Sequence, residues 1–384
     1  LDYFLTDDQL ELRSLARRVA LEKVLPVRAK HDIESTFPWD MVEEFRKAGF
    51  FSVFVPEEYG GTGGGVLDLV LVTEELSRIC GGISLAVAAT ALGTFPIMLS
   101  GNDEQKQRFL PDLAAGNKLA AFGLTEPDAG SDAGAIRTTA VRKGDKYILN
   151  GVKHFITNGS VAKIYTIIAS TDPSKGSRGA SAFIVEDGSP GFSYGKIEDK
   201  LGIRASKTSE LIFEDCEIPV ENIIGKEGQG FIVAMRTLDR SRPGVAAQAL
   251  GIAQGAYDLA LEYTTKRQQF GRSVSSFQAV QFMLADMAIQ IEAARGLVYG
   301  ASKMIDAGHS KIAKVSAMCK VMASDVAMRV TTDAVQLFGG YGYMKDYPIE
   351  KFMRDAKITQ IYEGTNQIQR GVIASNIIKE FAGK

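Results

Sequence analysis

Cysteine, histidine and excess charge are all scarce in this 384-residue chain. Its three cysteines, Cys80, Cys216 and Cys319, are odd in number and far apart. They offer neither a disulfide framework nor a metal cluster, and they fit a reducing compartment. The three histidines, His31, His154 and His309, lie on separate segments without ligand spacing, so structural or exposed roles are expected for each. A formal net charge of -2 leaves no electrostatic footprint for nucleic acid or for an anionic membrane surface. The nucleophile elbow G-x-S-x-G, the zinc motif H-E-x-x-H and the P-loop are missing. Internal repeats and low-complexity segments are missing too. One uncharged run, "GGISLAVAATALGTFPIMLSGN" from Gly81 to Asn102, is long enough to raise the question of a membrane span. Gly93 and Pro96 interrupt it, and Ser84, Thr90, Thr94 and Ser100 dilute it, so a buried helix of a soluble core is expected. The opening "LDYFLTDDQLELR" is amphipathic and of mixed charge, unlike a secretory leader.

What is present falls into three textures. Residues 1–120 read as helices. "TDDQ" at Thr6–Gln9 is a capping box, Leu12, Leu15, Ala16 and Val19 make an apolar stripe, and Pro26 is expected to break or kink it. Residues 121–224 change period. "KYILNGVKHFITNG", "KIYTIIAST", "ASAFIVEDGSPGFSYG" and "SELIFEDCEIP" are β-branched and aromatic runs bounded by turn residues. No helix-length segment separates them, so an antiparallel β unit is expected. Residues 225–384 return to long helices. "GVAAQALGIAQGAYDLALEYTTKRQQF", "FQAVQFMLADMAIQIEAARGLVYGASKMI" and "IAKVSAMCKVMASDVAMRVTTDAVQLFGG", with a last helix near the C-terminus, would make a four-helix bundle.

Four short stretches could carry chemistry. "QIYEGTNQIQR" places Glu363 on a turn before Gly364, with Thr365 or Asn366 able to cap a helix whose apolar positions are Ile368, Val372, Ile373, Ile377, Ile378 and Phe381. Spacing alone favours a surface-loop acid there. "FGLTEPDAGSD" offers Thr125, Ser131 and backbone N–H groups to an anionic or heteroaromatic ligand, or is a plain β-edge loop; composition does not choose. "GKEGQGF" looks like a phosphate loop but reads better as a turn and a helix start. "GGYGY" reads as a helix C-terminal motif.

Taken in order, "FGLTEPDAGSD", "NGVKHFITNG", "EDKLGIRASKTSELIFEDCEIP", "TLDRSRPGVAAQALGIAQ", "RQQFG", "DAVQLFGGYGY" and "RDAKITQIYEGTNQIQR" resemble the acyl-CoA dehydrogenase family, most closely its short-chain, butyryl-CoA-type members. The resemblance covers nearly the whole chain. It implies an α+β architecture: an N-terminal helical domain (1–120), a middle antiparallel β domain (121–224) and a C-terminal four-helix bundle (225–384). It also implies FAD bound between β domain and bundle, with a neighbouring subunit of a homotetramer contributing. The implied function is α,β-dehydrogenation of a short-chain acyl-CoA, with electrons passed to an electron-transferring flavoprotein and neither a metal nor a nucleic acid involved. A bacterial cytoplasmic location follows, or the mitochondrial matrix in a eukaryote. Branched or alicyclic acyl groups stay open as substrates, and a non-catalytic scaffold of the same fold is the remote alternative.

Residue by residue, the resemblance implies that Phe122, Leu124, Thr125, Gly130 and Ser131 form a first flavin loop, with Ser131 also facing the CoA chain. Phe155, Ile156 and Thr157 match a second flavin loop. Arg267, Phe270 and Gln278 match pyrophosphate and adenine contacts, and Gln336, Leu337, Gly339, Gly340, Thr365 and Gln367 match the rest of the FAD cleft. Asp239, Arg242, Tyr362 and Gly364 match substrate-side positions. Glu363 matches the base that takes the α-proton. In isovaleryl- and long-chain-type relatives the base comes from the helix that here carries Ser241, which is no acid. Arg240 and Pro243 depart from the family's commoner choices; Pro243 is expected to start a helix, where its missing N–H costs little.

Overall fold

The computed structural model describes residues 3–383. The N-terminal helices are α1 (Asp7–Val19), α2 (Leu25–Glu34), α3 (Trp39–Lys47), α4 (Val66–Ser77), α5 (Leu85–Ser100) and α6 (Asp103–Ala114). The capping box forms as the sequence predicts: Thr6 Oγ1 accepts from Gln9 N, and Gln9 Oε1 accepts from Thr6 N, both at 3.2 Å. Pro26 interrupts the regular α-helix without ending the helical path. A single π turn, Ala20–Val24, joins α1 to α2 and puts Pro26 in the first turn of the continuation, where no intrahelical N–H is required of it.

The uncharged run becomes α5, which continues through both Gly93 and Pro96 and is buried over most of its length. Gly93 is there for proximity: a Cβ on it would lie 2.6 Å from Ala121 N of the strand packed against it. Among the described residues no helix is long and apolar enough to cross a membrane.

Eight strands follow: β1 (Ala120–Gly123), β2 (Thr139–Lys143), β3 (Lys146–Thr157), β4 (Ile164–Ser170), β5 (Ala180–Glu186), β6 (Phe192–Ile197), β7 (Thr208–Pro219) and β8 (Ile223–Ile224). They form one sheet in the order β6-β7-β3-β2-β4-β5-β8, with β1 also on β4. The sheet is antiparallel in the main, and two pairings are parallel. β1 runs alongside β4 from Ala120↔Ile164 to Gly123↔Ile167, and β2 meets β4 at Thr139↔Ser170. A parallel pair needs a long crossover, and here the β2–β3 hairpin supplies it in place of a helix.

Beyond the sheet lie α7 (Gly230–Lys266), a small β9 (Gln268–Gln269) and β10 (Arg272–Ser273) ribbon, α8 (Gln278–Asp306), α9 (Ala313–Phe338), α10 (Ile349–Thr359) and α11 (Asn366–Ala382). Pro243 sits inside α7, not at its start. A proline there leaves the carbonyl four residues earlier, that of Asp239, without its helical donor. Ser316 Oγ of α9 donates to that oxygen, so the lost bond is replaced from a neighbouring helix. α10 is an element that the four-helix reading does not contain; its buried side includes Ile349, Phe352 and Ala356.

Two apolar cores result. One joins the N-terminal helices to the sheet through residues such as Phe45, Phe95, Tyr165 and Phe183. The other fills the bundle with Ala246, Leu250, Met287, Ile291, Val330 and Phe352, and it reaches α4 through Val70 and Leu71. All three cysteines are buried and free.

Candidate active site

α10 and α11 are joined by a turn with two successive left-handed residues, Glu363 (φ 52°) and Gly364 (φ 91°). Glycine takes that conformation freely; for glutamate it is strained, and such strain persists only where the surroundings enforce it. A Cβ at Gly364 would stand 2.2 Å from Gln369 Nε2. Thr365 caps α11, its Oγ1 accepting from Ile368 N at 3.3 Å, as the sequence pattern predicts.

Side chains from three helices hold this turn. Ser241 Oγ of α7 donates to Glu363 Oε2 at 2.5 Å. Arg242 Nε donates to the Glu363 carbonyl at 3.3 Å, and Gln369 Nε2 donates to the same oxygen at 3.0 Å. Lys320 Nζ of α9 donates to the Gly364 carbonyl at 2.9 Å. Asp239 pairs with Arg242 at 2.7 Å and so acts on the turn through it. Tyr362 Oη donates to Gln248 Oε1, and Gln248 Nε2 donates to Gly81 O at 2.7 Å.

Burial pushes the Glu363 carboxyl above the ordinary carboxylate range; the Ser241 hydrogen bond and the charges of Arg242 and Lys320 oppose this without cancelling it. Burial also lowers Lys320, to about 8.

Two loops of the sheet domain face the turn. In the first, Glu126 accepts from Arg137 N (2.6 Å), Thr138 N (3.0 Å) and the fully buried Lys153 Nζ (2.6 Å). Lys153 also donates to Leu124 O at 3.1 Å, and His154 N donates to Thr125 O at 2.8 Å. Burial lowers the Lys153 ammonium to about 8. Burial works to raise Glu126, but Lys153 and the two backbone donors hold its carboxyl below the usual range. In the second loop the β3–β7 register slips between Lys153 and Ile156. The bulge swings Phe155 (φ 59°) outward, to 60% exposure.

Between turn and loops lies a cavity of about 460 Å³. One stripe of α5 lines it (Leu85, Ala88, Ala89, Leu92, Phe95), and so does one stripe of α7 (Phe231, Met235, Leu238, Ser241, Arg242, Val245, Gln248). Of the residues singled out from sequence, Phe122, Leu124, Thr125, Gly130, Ser131, Phe155, Ile156, Thr157, Arg242, Tyr362, Glu363 and Gly364 all line this one cavity. Arg267, Gln336, Leu337, Gly339 and Gly340 line a different recess of about 570 Å³, beside Tyr263 and Tyr341. Phe270 is 93% exposed, and Gln278 and Gln367 are exposed as well. Thr365 and Asp239 line neither recess. The Glu363 cavity and the Arg267 recess are thus separate places in one chain.

Lys320, Lys153, Glu126, Gln248 and Gln369 were not legible as site residues. Lys320 did leave a signal. Helical spacing puts it on the same side of α9 as the buried Ser316, Ala323 and Ala327, where a lysine is out of place unless it is bonded. Two histidines make structural contacts, His31 Nδ1 with Thr36 Oγ1 at 2.9 Å and His154 with Glu210 at 3.0 Å, and His309 is exposed.

Models of the acyl-CoA dehydrogenase N-terminal, middle and C-terminal domains match residues 6–117, 121–216 and 228–378. The "Acyl-CoA dehydrogenase, short-chain specific" of Clostridium acetobutylicum is 51% identical over 380 residues, 99% of this chain and 100% of that protein. The solved butyryl-CoA dehydrogenase of Megasphaera elsdenii is 48% identical, with a TM-score of 0.96 over 98% of this chain and 100% of that one. A chain in a structure described as "Electron transferring flavoprotein of Acidaminococcus fermentans: Towards a mechanism of flavin-based electron bifurcation" is 53% identical, with a TM-score of 0.96 over 98% and 99%. Fold and site define an oxidoreductase that acts on acyl-CoA thioesters. The chain belongs to the acyl-CoA dehydrogenase family, whose members are FAD-dependent.

Proposed function

We propose that this enzyme removes an α and a β hydrogen from a short-chain acyl-CoA, giving the trans-2-enoyl thioester, and that Glu363 is its general base. The observation that carries the reading is the left-handed Glu363–Gly364 turn, which presents a carboxylate to a cavity walled by apolar α5 side chains and by both loops of the sheet domain.

The cavity suits a flavin beside the substrate. Its mouth combines aromatic faces (Phe122, Phe155) with the hydroxyls of Thr125, Ser131 and Thr157, and a side chain added at Gly130 would meet nothing within 4 Å. These residues would hold the flavin ring, and FAD when bound supplies the two-electron acceptor. Arg267, Gln336, Leu337, Gly339 and Gly340, in their separate recess, would hold the far end of an FAD seated in an adjacent copy. A homotetramer fits this division, and it fits the exposed Phe282 and Ile289 of α8 and Ile377, Ile378 and Phe381 of α11.

A thioester α-proton is only weakly acidic. The chain contributes placement of the thioester carbonyl against the turn's backbone N–H groups, which stabilise charge developing on oxygen. It also contributes a carboxylate whose desolvation makes it a stronger base. Tyr362, locked by Gln248, and the apolar α5 stripe close the acyl end. Asp132, Arg242 and Glu363 are the charged residues of the lining, and the one cation, Arg242, is already committed to Asp239 and the Glu363 carbonyl. A dicarboxylic acyl group therefore finds no free counter-charge. An electron-transferring flavoprotein as the next carrier and a bacterial cytoplasmic setting complete the reading, supported by the bacterial relatives and by the flavoprotein structure described above.

The test is a bleaching screen on the yellow holoprotein with butyryl-, isobutyryl-, 2-methylbutyryl-, cyclohexanecarboxyl- and glutaryl-CoA. Butyryl-CoA is expected to bleach fastest and glutaryl-CoA slowest. A protein that stays colourless after FAD addition would favour a scaffold role, and preference for a branched or alicyclic thioester would reassign the substrate.

A further inference from the structure

Lys320 is fully buried in the first third of α9, yet it lies within 4 Å of no carboxylate oxygen among the described residues. A buried ammonium is costly unless hydrogen bonds and a nearby charge compensate. Its bonds go to the Gly364 carbonyl (2.9 Å) and to Asn366 Oδ1 (2.8 Å), 44 and 46 residues away in sequence. Asn366 is itself fixed, its Nδ2 donating to Ser324 Oγ (2.9 Å) and Asp325 Oδ1 (2.7 Å). The chain therefore places a buried cation against the turn that carries Glu363 and ties it to the Gly364 carbonyl, whose other side-chain donor, Gln369 Nε2 of α11, stands farther off at 3.5 Å.

We propose that Lys320 is a positioning residue for the dehydrogenation: it locks the Gly364 carbonyl, and with it the left-handed conformation that aims the Glu363 carboxylate into the cavity. Glu363 is the largest charge attracting this ammonium, and the ammonium in turn joins Arg242 in favouring the ionised form of Glu363. The charged and titratable groups around Glu363 are Arg242 from α7, itself paired with Asp239; Lys320 from α9, with Asp325 behind it; and Tyr362 alongside in the turn. Of the two cations, Arg242 is shared with Asp239, whereas Lys320 has no ion pair among the described residues.

This inference rests on Glu363 being the base, and the test separates the two. The Lys320→Met, Lys320→Arg and Glu363→Gln holoenzymes are compared for flavin content, steady-state rates on butyryl-CoA and pH profiles. Lys320→Met is expected to load FAD with little change in KM and to lose roughly 10- to 100-fold in kcat, as for a misplaced catalytic group. Its acid limb should move to higher pH, because a charge favouring the carboxylate is gone. Lys320→Arg, which keeps the charge, should leave that limb near its wild-type position while kcat falls. A folded Lys320→Met enzyme with wild-type kcat and pH profile overturns the role of Lys320 alone, provided Glu363→Gln is inactive; an active Glu363→Gln enzyme removes both assignments. Where Lys320→Met does not fold, Lys320→Gln is measured in its place. Failure of both variants to fold makes the residue structural and also overturns the proposal.

Discussion

Ser241 Oγ lies 2.5 Å from Glu363 Oε2, bridging α7 to the turn between α10 and α11. The helix position that could have carried an acid instead holds a hydroxyl that donates to the acid on the turn. The bond favours the carboxylate form, against a burial that favours the neutral one.

Removing that donor should therefore raise the Glu363 carboxyl further. Ser241→Ala is expected to shift the acid limb of the kcat/KM profile to higher pH while changing the high-pH plateau by less than about tenfold, since the base itself remains. A profile that superimposes on wild type would show that the hydroxyl does not act on the base.

The raised carboxyl has a cost in stability with a definite sign. The native state binds this proton more tightly than the unfolded chain, so stability falls as pH rises from the ordinary carboxylate range through the raised value, and the full penalty stands above it. Glu363→Gln keeps a carbonyl to accept the Ser241 hydrogen bond and removes the penalty. It should melt at higher temperature than wild type near neutral pH, with the gain fading as pH falls through the ordinary glutamate range at about 4.3 and gone below about pH 3, where the glutamate is protonated in both states. Equal melting temperatures across that range would contradict the burial argument.

Lys153 and Glu126 form a buried ion pair at 2.6 Å, with side chains 0% and 5% exposed, and they hold the loop bearing Leu124 and Thr125. Breaking such a pair from one side leaves an uncompensated charge and costs about 3–5 kcal/mol. Lys153→Met should lower stability by that order in urea unfolding and should release FAD more readily. Wild-type stability with full flavin retention would mean that the loop is held by other contacts.

The helices, their caps and the order of the domains were legible because they depend on local spacing, as Thr6 with Gln9 and Thr365 with Ile368 show. The Pro243 expectation failed and the Pro26 one held only as an interruption of the α-helix, for a shared reason: a proline's missing bond can be tolerated by something outside the local pattern. For Pro26 that was a π turn, and for Pro243 it was Ser316 on another helix. The parallel β1–β4 pair was hidden because a hairpin made the crossover. The turn residues could be read from their motif, but what supports them could not. Lys153 meets Glu126 across 27 residues and Lys320 meets Gly364 across 44, distances at which spacing carries no information.

The central claim is that Glu363 takes the α-proton. The most direct measurement is anaerobic bleaching of the flavin by butyryl-CoA in FAD-loaded Glu363→Gln, followed beside wild type in a stopped-flow instrument. The account predicts bleaching slower by roughly 10²–10⁴-fold with butyryl-CoA binding retained, as expected when a general base is removed. Bleaching at the wild-type rate in a folded, flavin-loaded variant would contradict it.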